Sequence, residues 1–331
     1  MAVPQLSVII PCYNNGPLLS EMINCILRQT YDDWELIVVD DGSTDDTPAI
    51  VGNFAANDSR IRLVQRDREP KGSATCRNIG FDHSRGRYIM HLDADDLLAD
   101  TCFERRVTFM ETNPEIDYAS FPAKIFTDST HLPSISDSGK HWGVGNETMD
   151  LLTSFLHGDY LFSVWCNIYR RNSLLPFRWD ENVKIYTDFS FIVPGILSGK
   201  LKHKFGYQDQ VDYYYRVNQS SGNNMCASFV NADKCTSTIY LFGKTLDALA
   251  QRDDYALRRE EFFHFIILNF RRLIKGGDKH RLNDYLAFCK SHYPEKIGKM
   301  QFISNMSIYL SGNIVRRKMS ALLCMGLFGH R

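Results

Sequence analysis

Short apolar runs alternating with segments of helical periodicity fix the fold class of this chain before any other feature. Residues 6–10 (Leu-Ser-Val-Ile-Ile) read as a buried strand, broken by Pro11 and the turn formers Asn14, Asn15, Gly16 and Pro17. Leu18, Leu19, Met22, Ile23, Ile26 and Leu27 then recur at helical spacing. Residues 35–39 predict a second strand, ended by Asp40-Asp41-Gly42-Ser43, and Thr47-Pro48 reads as an N-cap followed by proline at the first helical position. A third strand is expected over 61–64, a helix over 74–84 stopped by Gly86, and a fourth strand over 88–92. The next helix opens with Thr101 and Glu104 at capping-box spacing. This order predicts an α/β fold built on a doubly wound, mostly parallel sheet.

In such sheets ligands gather beyond the carboxyl ends of the strands. The segments just after three of the strands are Pro11-Cys12-Tyr13-Asn14-Asn15, Asp40-Asp41-Gly42-Ser43 and Asp93-Ala94-Asp95-Asp96, and all three are expected to open onto one edge. The last places three carboxylates within four residues at the end of an apolar strand, which invites a cation. Mg²⁺ and Mn²⁺ favour one or two protein carboxylates together with substrate phosphate oxygens. A helix N-terminus also welcomes Asp, so on these residues alone a metal site and a cap both stand.

Beyond residue 125 the pattern loosens. Residues 127–147, rich in Ser, Asp, Gly and His, read as a long loop. Residues 163–170 and 211–216 resemble strands, with an apolar helical segment over 188–197 between them. Residues 230–331 read mainly as helices, one of them strongly apolar through Phe262, Phe263, Phe265, Ile266, Ile267, Leu268 and Phe270. The expected division is a domain over 1–225, with halves 1–125 and 126–225, followed by a helical region over 226–331. The net charge of −1 supplies no basic field to recruit nucleic acid. Nine cysteines without a Cys-x-x-Cys pair argue against a disulfide framework or zinc ribbon and for a reducing compartment. Residues 1–5 carry no basic n-region, and no apolar run approaches the roughly 20 residues that span a bilayer. A soluble, cytoplasmic protein is therefore expected.

Four motifs in order carry a resemblance. Residues 7–15 (Ser-Val-Ile-Ile-Pro-Cys-Tyr-Asn-Asn), 38–45 (Val-Val-Asp-Asp-Gly-Ser-Thr-Asp), Ala74 with Arg77, Asn78 and Gly80, and Asp93-Ala94-Asp95-Asp96 resemble the signature of the family 2 glycosyltransferases. Those are GT-A-fold enzymes that use nucleotide sugars. The resemblance covers about the first 100 residues continuously and 163–216 more weakly. It implies an inverting, Mg²⁺- or Mn²⁺-dependent transfer from a nucleotide diphosphate sugar, with UDP as the expected nucleotide, to an acceptor sugar hydroxyl. The setting it implies is surface polysaccharide or glycoconjugate synthesis, with a saccharide or lipid-linked saccharide as acceptor.

Site roles follow from the same resemblance. Asp41 would accept hydrogen bonds from a nucleobase imide or ribose hydroxyl, although Asp-Asp-Gly-Ser is also good turn chemistry. Pro11 and Tyr13 would line the base pocket, with Asn14 beside them. Arg77, with Asn78, would meet the nucleotide phosphates or form an internal ion pair that orients the acidic cluster. Asp95 would hold the metal and Asp93 the ribose or the metal, the cation acting as Lewis acid and template; Asp96 could cap the next helix. The base that deprotonates the acceptor would be Asp188, in Tyr186-Thr187-Asp188-Phe189-Ser190-Phe191, with Thr187 where the family has Glu and with Glu181 as the fallback. Trp165 reads as core, Arg216 as a diphosphate contact in a late segment running to Ser220, and His91 as a strand-end residue rather than a ligand. The basic, amphipathic end at 314–331 would pack on its own domain or rest on an anionic membrane surface. Two rivals remain. A sugar-phosphate nucleotidyltransferase should carry a Gly-rich basic loop after the first strand, and residues 11–16 contain no Lys or Arg. A non-catalytic carbohydrate- or partner-binding module should show a broken acidic motif.

Overall fold

Continuous burial of the first strands on both faces explains why their apolar runs do not alternate. In the computed structural model, which describes residues 3–127, 132–134, 137, 141–217, 232–276 and 279–309, the first half runs β1 (Leu6–Cys12), α1 (Gly16–Leu27), β2 (Trp34–Asp40), α2 (Thr47–Asn57), β3 (Ile61–Gln65), α3 (Ser73–His83), β4 (Tyr88–His91), β5 (Leu97–Leu98) and α4 (Cys102–Thr112). It continues through β6 (Tyr118–Ser120), β7 (Ala123–Phe126), β8 (His141–Trp142), α5 (Leu151–Leu156), a 3₁₀ turn (Val164–Cys166), β9 (Asn167–Arg170), α6 (Arg171–Leu174), α7 (Thr187–Leu197), β10 (His203–Phe205) and β11 (Tyr213–Arg216). Helices α8 (Ala232–Leu249), α9 (Tyr255–Gly276), α10 (Lys279–His292) and α11 (Ile297–Tyr309) follow.

Seven strands form one sheet in the order β10-β6-β9-β4-β1-β2-β3, and four form a second in the order β5-β11-β7-β8. Strand β1 pairs in parallel with both β2 and β4, and β2 in parallel with β3. Strand β9 enters antiparallel between β4 and β6. The sheet is thus mostly parallel, as the alternation predicts, with one reversed strand. Helix α3 lies close on its face because Gly80 has no side chain: a Cβ there would sit 2.4 Å from Ile9 Cγ2 and 3.3 Å from Val39 Cγ2. The buried Glu35 in β2 is matched by Ser7 Oγ at 2.6 Å, the Arg85 amide at 2.7 Å and Arg62 at 2.9 Å, so this charge keeps partners inside the sheet.

Several local expectations are revised. The strand expected over 163–170 begins with the 3₁₀ turn, and extended pairing starts only at Asn167. Thr101 precedes α4 but makes no side-chain cap: its hydroxyl accepts Gln210 Nε2 at 3.2 Å, and Glu104 accepts the Thr30 hydroxyl at 2.7 Å rather than reaching back to the helix start. At α2 the capping position falls to Asp46, with Pro48 in the first turn. The stretch 127–147 includes β8 and lies partly outside the described residues, as do Ser220 and the basic end at 314–331.

The chain divides into two compact units, Met1–Leu151, Tyr160–Asn182 and Thr187–Ser220 forming the first, Leu152–Asp159, Val183–Tyr186 and Ser221–Arg331 the second. Both sheets belong to the first. The second has an aromatic core that includes Phe242, Phe262, Phe265, Tyr285 and Phe288. Its buried Tyr285 hydroxyl is satisfied by the Ile266 carbonyl at 2.7 Å.

Candidate active site

Parallel pairing puts the carboxyl ends of β1, β2 and β4 at one edge, and the three loops that follow them meet there. The turn after β2 is built by Asp40, whose carboxylate accepts the Gly42 and Ser43 amides at 3.2 and 3.0 Å. Gly42 takes φ +82°, a left-handed value that glycine adopts without strain. Asn14 stitches the first loop to this turn: its Oδ1 accepts the Thr44 amide at 2.8 Å and its own amide donates to Ser43 Oγ at 2.9 Å. Its side chain is therefore engaged in holding the loops together.

Asp41 is buried, with Arg66 Nε at 2.7 Å and the Gly72 amide at 3.2 Å. Arg66 follows β3, so three successive segments converge on one carboxylate. Tyr13 is 47% exposed, and Lys71 Nζ lies 3.3 Å from its ring centroid. Pro11 is in β1, opposite Val39 of β2. Pro11, Tyr13, Asn14 and Asp41 thus share the edge where the sequence places them.

Beyond β4 the acidic turn is crowded. Asp93 keeps 30% of its side chain exposed and meets Arg77 Nη2 at 2.5 Å. Burial pushes its carboxyl up to about 6; Arg77 pulls it down, and the charges of Asp95 and Asp188 push it further up. Burial also raises Asp95, with Arg216 opposing. Asp96 is fully buried and held well above the usual carboxylate range by burial and by Asp93 and Asp95. Asp96 is not a helix cap: β5 follows it, and its oxygens accept the Tyr213 hydroxyl at 2.5 Å and the Arg216 amide at 2.7 Å. Carboxylates raised by burial and mutual repulsion are what a cation would relieve. Among the described residues no three His, Cys, Asp or Glu side chains close into a metal cage. The partly exposed Asp93 and Asp95 instead suit a hard divalent cation that completes its shell with phosphate oxygens and water.

Arg77 is buried against the Trp179 ring, 4.5 Å from its centroid, and takes the ion-pair alternative through Asp93. Asn78 exchanges hydrogen bonds with the Trp179 backbone at 2.9 and 3.0 Å and donates to Glu181 at 2.8 Å. Glu181 also pairs with Arg68 at 2.9 Å, and these partners hold its carboxyl below the ordinary range despite some burial. Asn78 and Glu181 therefore pin the 179–181 segment. Asp188 lies in the first turn of α7; its Oδ2 accepts the Ser163 hydroxyl and, at 3.5 Å, the Val164 amide. Its effect on Asp93 places it in the same electrostatic neighbourhood. Arg216 donates to the Asp95 carbonyl at 2.6 Å and pairs with Glu21 at 2.6 Å. His91 is buried among Tyr169, Trp179 and Phe191, and burial drives it well below its usual value, leaving it neutral.

Three residues at this site escape the sequence reading. Ser163 bonds Asp188, Arg66 holds Asp41, and Tyr213 bonds two residues of the acidic turn. For Arg66 a signal existed, a cation directly after the third apolar run. A run of three tyrosines gives no sign of which ring turns its hydroxyl inward.

The description Glycosyl transferase family 2 matches residues 7–177. An uncharacterized glycosyltransferase of Haemophilus influenzae is 29% identical over 242 residues, covering 73% of this chain and 88% of the relative. The minor teichoic acid biosynthesis protein GgaB of Bacillus subtilis is 30% identical over 296 residues, covering 86% of this chain but 31% of that longer protein. Among solved structures, S. aureus TarS 1–349 in complex with UDP-GlcNAc aligns with a TM-score of 0.67 at 17% identity, covering 99% of this chain and 93% of that one. The mannosyltransferase PcManGT from Pyrobaculum calidifontis, in complex with GDP-Man and Mn²⁺, aligns at 0.55 with 17% identity, covering 100% and 89%. The architecture is the GT-A fold, and with more than half of its length matched the chain belongs to glycosyl transferase family 2.

Proposed function

We propose that this glycosyltransferase moves a sugar, with inversion, from a UDP-sugar to a saccharide hydroxyl in a divalent-metal-dependent reaction. One observation carries the reading: the raised, mutually repelling carboxylates of Asp93 and Asp95 stand at the edge where Asp41 and Tyr13 also emerge, with Asp188 close enough to act on Asp93. Asp41 is assigned to the uracil or ribose, and Pro11 and Tyr13 to the walls of the base site. Asp93 and Asp95 would hold Mg²⁺ or Mn²⁺. The cation, when bound, supplies Lewis-acid neutralisation of charge developing on the diphosphate. Asp188 accepts the proton of the acceptor hydroxyl, its carboxylate oriented by Ser163.

The TarS complex with UDP-GlcNAc supports the uridine assignment, and the PcManGT complex supports Mn²⁺. GgaB, a teichoic acid biosynthesis protein, supports a cell-surface polymer or its lipid-linked precursor as acceptor. We assign the donor half to residues 1–125, the acceptor half to 126–225 and an accessory helical role to 226–331. A cytoplasmic location fits the buried, free cysteines 12, 25, 76, 102, 166, 235 and 289. Among the described residues no helix is long and apolar enough to cross a membrane. Peripheral membrane contact through 314–331 is part of the proposal.

Calorimetric titration of UDP with and without Mn²⁺ tests the donor site. Wild type is expected to bind UDP more tightly with Mn²⁺, and Asp95→Ala to lose that enhancement while keeping its metal-free affinity. Enhancement that survives Asp95→Ala would sink the metal assignment. Asp188→Asn is expected to keep Mn²⁺-dependent UDP binding and lose roughly 10²–10⁴-fold in sugar transfer, the usual worth of a general base.

A further inference from the structure

One strand grips the whole acidic turn. Tyr213 of β11, fully buried, donates its hydroxyl to Asp96 Oδ2 at 2.5 Å and accepts the Asp93 amide at 3.3 Å. From the same strand the Arg216 amide reaches Asp96 Oδ1 at 2.7 Å, and its guanidinium reaches the Asp95 carbonyl at 2.6 Å. The Tyr213 ring is backed by Trp165, with centroids 4.7 Å apart and planes within 7°; Trp165 also stacks on Tyr215 at 5.5 Å. Trp165 is itself fixed, its carbonyl accepting Arg106 Nη1 at 2.9 Å. Its neighbours Ser163 and Val164 hydrogen-bond Asp188. A single 3₁₀ turn therefore touches the acceptor-side carboxylate at one end and supports the donor-side turn through a stacked ring.

Phenylalanine would fill the space of Tyr213 without burying a hydroxyl, which is unfavourable unless that group is fully bonded. Both partners of the hydroxyl lie on the acidic turn. We propose that Tyr213, backed by the Trp165 ring, is a positioning residue that sets the conformation in which the turn offers Asp93 and Asp95 to a divalent cation and diphosphate. The inference rests on the assignment of those two carboxylates to the cation. Tyr213 touches neither ligand in this scheme; it acts through the Asp93 amide and the Asp96 carboxylate. Asp41 and Tyr13 are held by a separate set of contacts through Arg66, Gly72 and Lys71. Loss of the Tyr213 hydroxyl should therefore spare the affinity for uridine and affect only its dependence on metal.

The test titrates UDP into the full chain at a series of Mn²⁺ concentrations, for wild type, Tyr213→Phe, Trp165→Phe, Trp165→Leu and Asp95→Ala. Tyr213→Phe keeps the ring and its stack. It is expected to leave metal-free UDP affinity within about twofold while raising the Mn²⁺ needed for half-maximal enhancement by about 10-fold, the usual effect of losing an outer-shell partner. Trp165→Leu should reproduce the shift, and Trp165→Phe, which retains a flat ring, should largely restore wild-type behaviour. Unchanged Mn²⁺ dependence in Tyr213→Phe would overturn the proposal, as would equal loss of UDP binding with and without metal. If Trp165→Leu does not fold, the Tyr213→Phe titration decides. Asp95→Ala separates the two levels: should it retain the wild-type Mn²⁺ dependence, the metal assignment has failed whatever Tyr213 does.

Discussion

Asp93 is a carboxyl pulled in two directions, toward the proton by burial and by Asp95 and Asp188, and toward ionisation by Arg77. Its value of about 6 stands above its ordinary 3.8, so between those pH values the folded chain holds more protons than the unfolded one. Stability from this group is present at low pH and declines as pH rises through that window. A cation reverses the preference, because it binds only the ionised form. Mn²⁺-dependent UDP binding is therefore expected to weaken as pH falls below about 6 and to release protons there, read by calorimetry in buffers of different ionisation heat. Mn²⁺ together with UDP should likewise raise the melting temperature more at pH 7 than at pH 5. The motif Asp-Ala-Asp-Asp marks the cluster in the sequence, but the three carboxylates look alike there. Only the contacts of Asp96 with Tyr213 and Arg216 separate a buried structural acid from the two that remain partly open.

Among the elements, helix α3 shows most directly how the sheet aims its loops. Gly80 lets the helix settle on Ile9 and Val39, the strands whose ends carry the first two loops of the site. Gly80→Ala is expected to destabilise the fold by about 1–3 kcal/mol through overpacking, measured by urea unfolding. Because α3 also carries Arg77, the same change should weaken UDP binding. Strands β1 to β4 and the helices between them are legible because each announces itself locally, by an unbroken apolar run or a 3.6-residue period; the parallel pair β6 and β10, three residues each, is too short to do so. Strand β9 shows as a strand within 163–170, but its antiparallel place between β4 and β6 depends on partners at positions 88–89 and 118–120. The 3₁₀ turn at Val164–Cys166 was hidden in an apolar run that fits a strand equally well.

On the scale of the whole first unit, Arg106 is the tie. Fully buried in α4, it makes a bidentate pair with Asp212 at 2.9 and 2.6 Å and donates to the Trp165 carbonyl at 2.9 Å. Removing one member of such a pair leaves a charge stranded in the interior. Arg106→Ala is expected to cost about 3–5 kcal/mol, seen as a lower denaturation midpoint. The same feature bears on how the molecule is made. Strands β1 to β4 come from one continuous stretch and can pair as soon as they leave the ribosome, yet Asp96 and Tyr213 stand 117 residues apart. At about 5–20 residues per second the acidic turn waits roughly 6–23 s for the strand that clamps it. A nascent chain thus owns the edge formed by β1, β2 and β4 well before β11 fixes the acidic turn, so the proposed cation site is among the last parts of the first unit to be ordered.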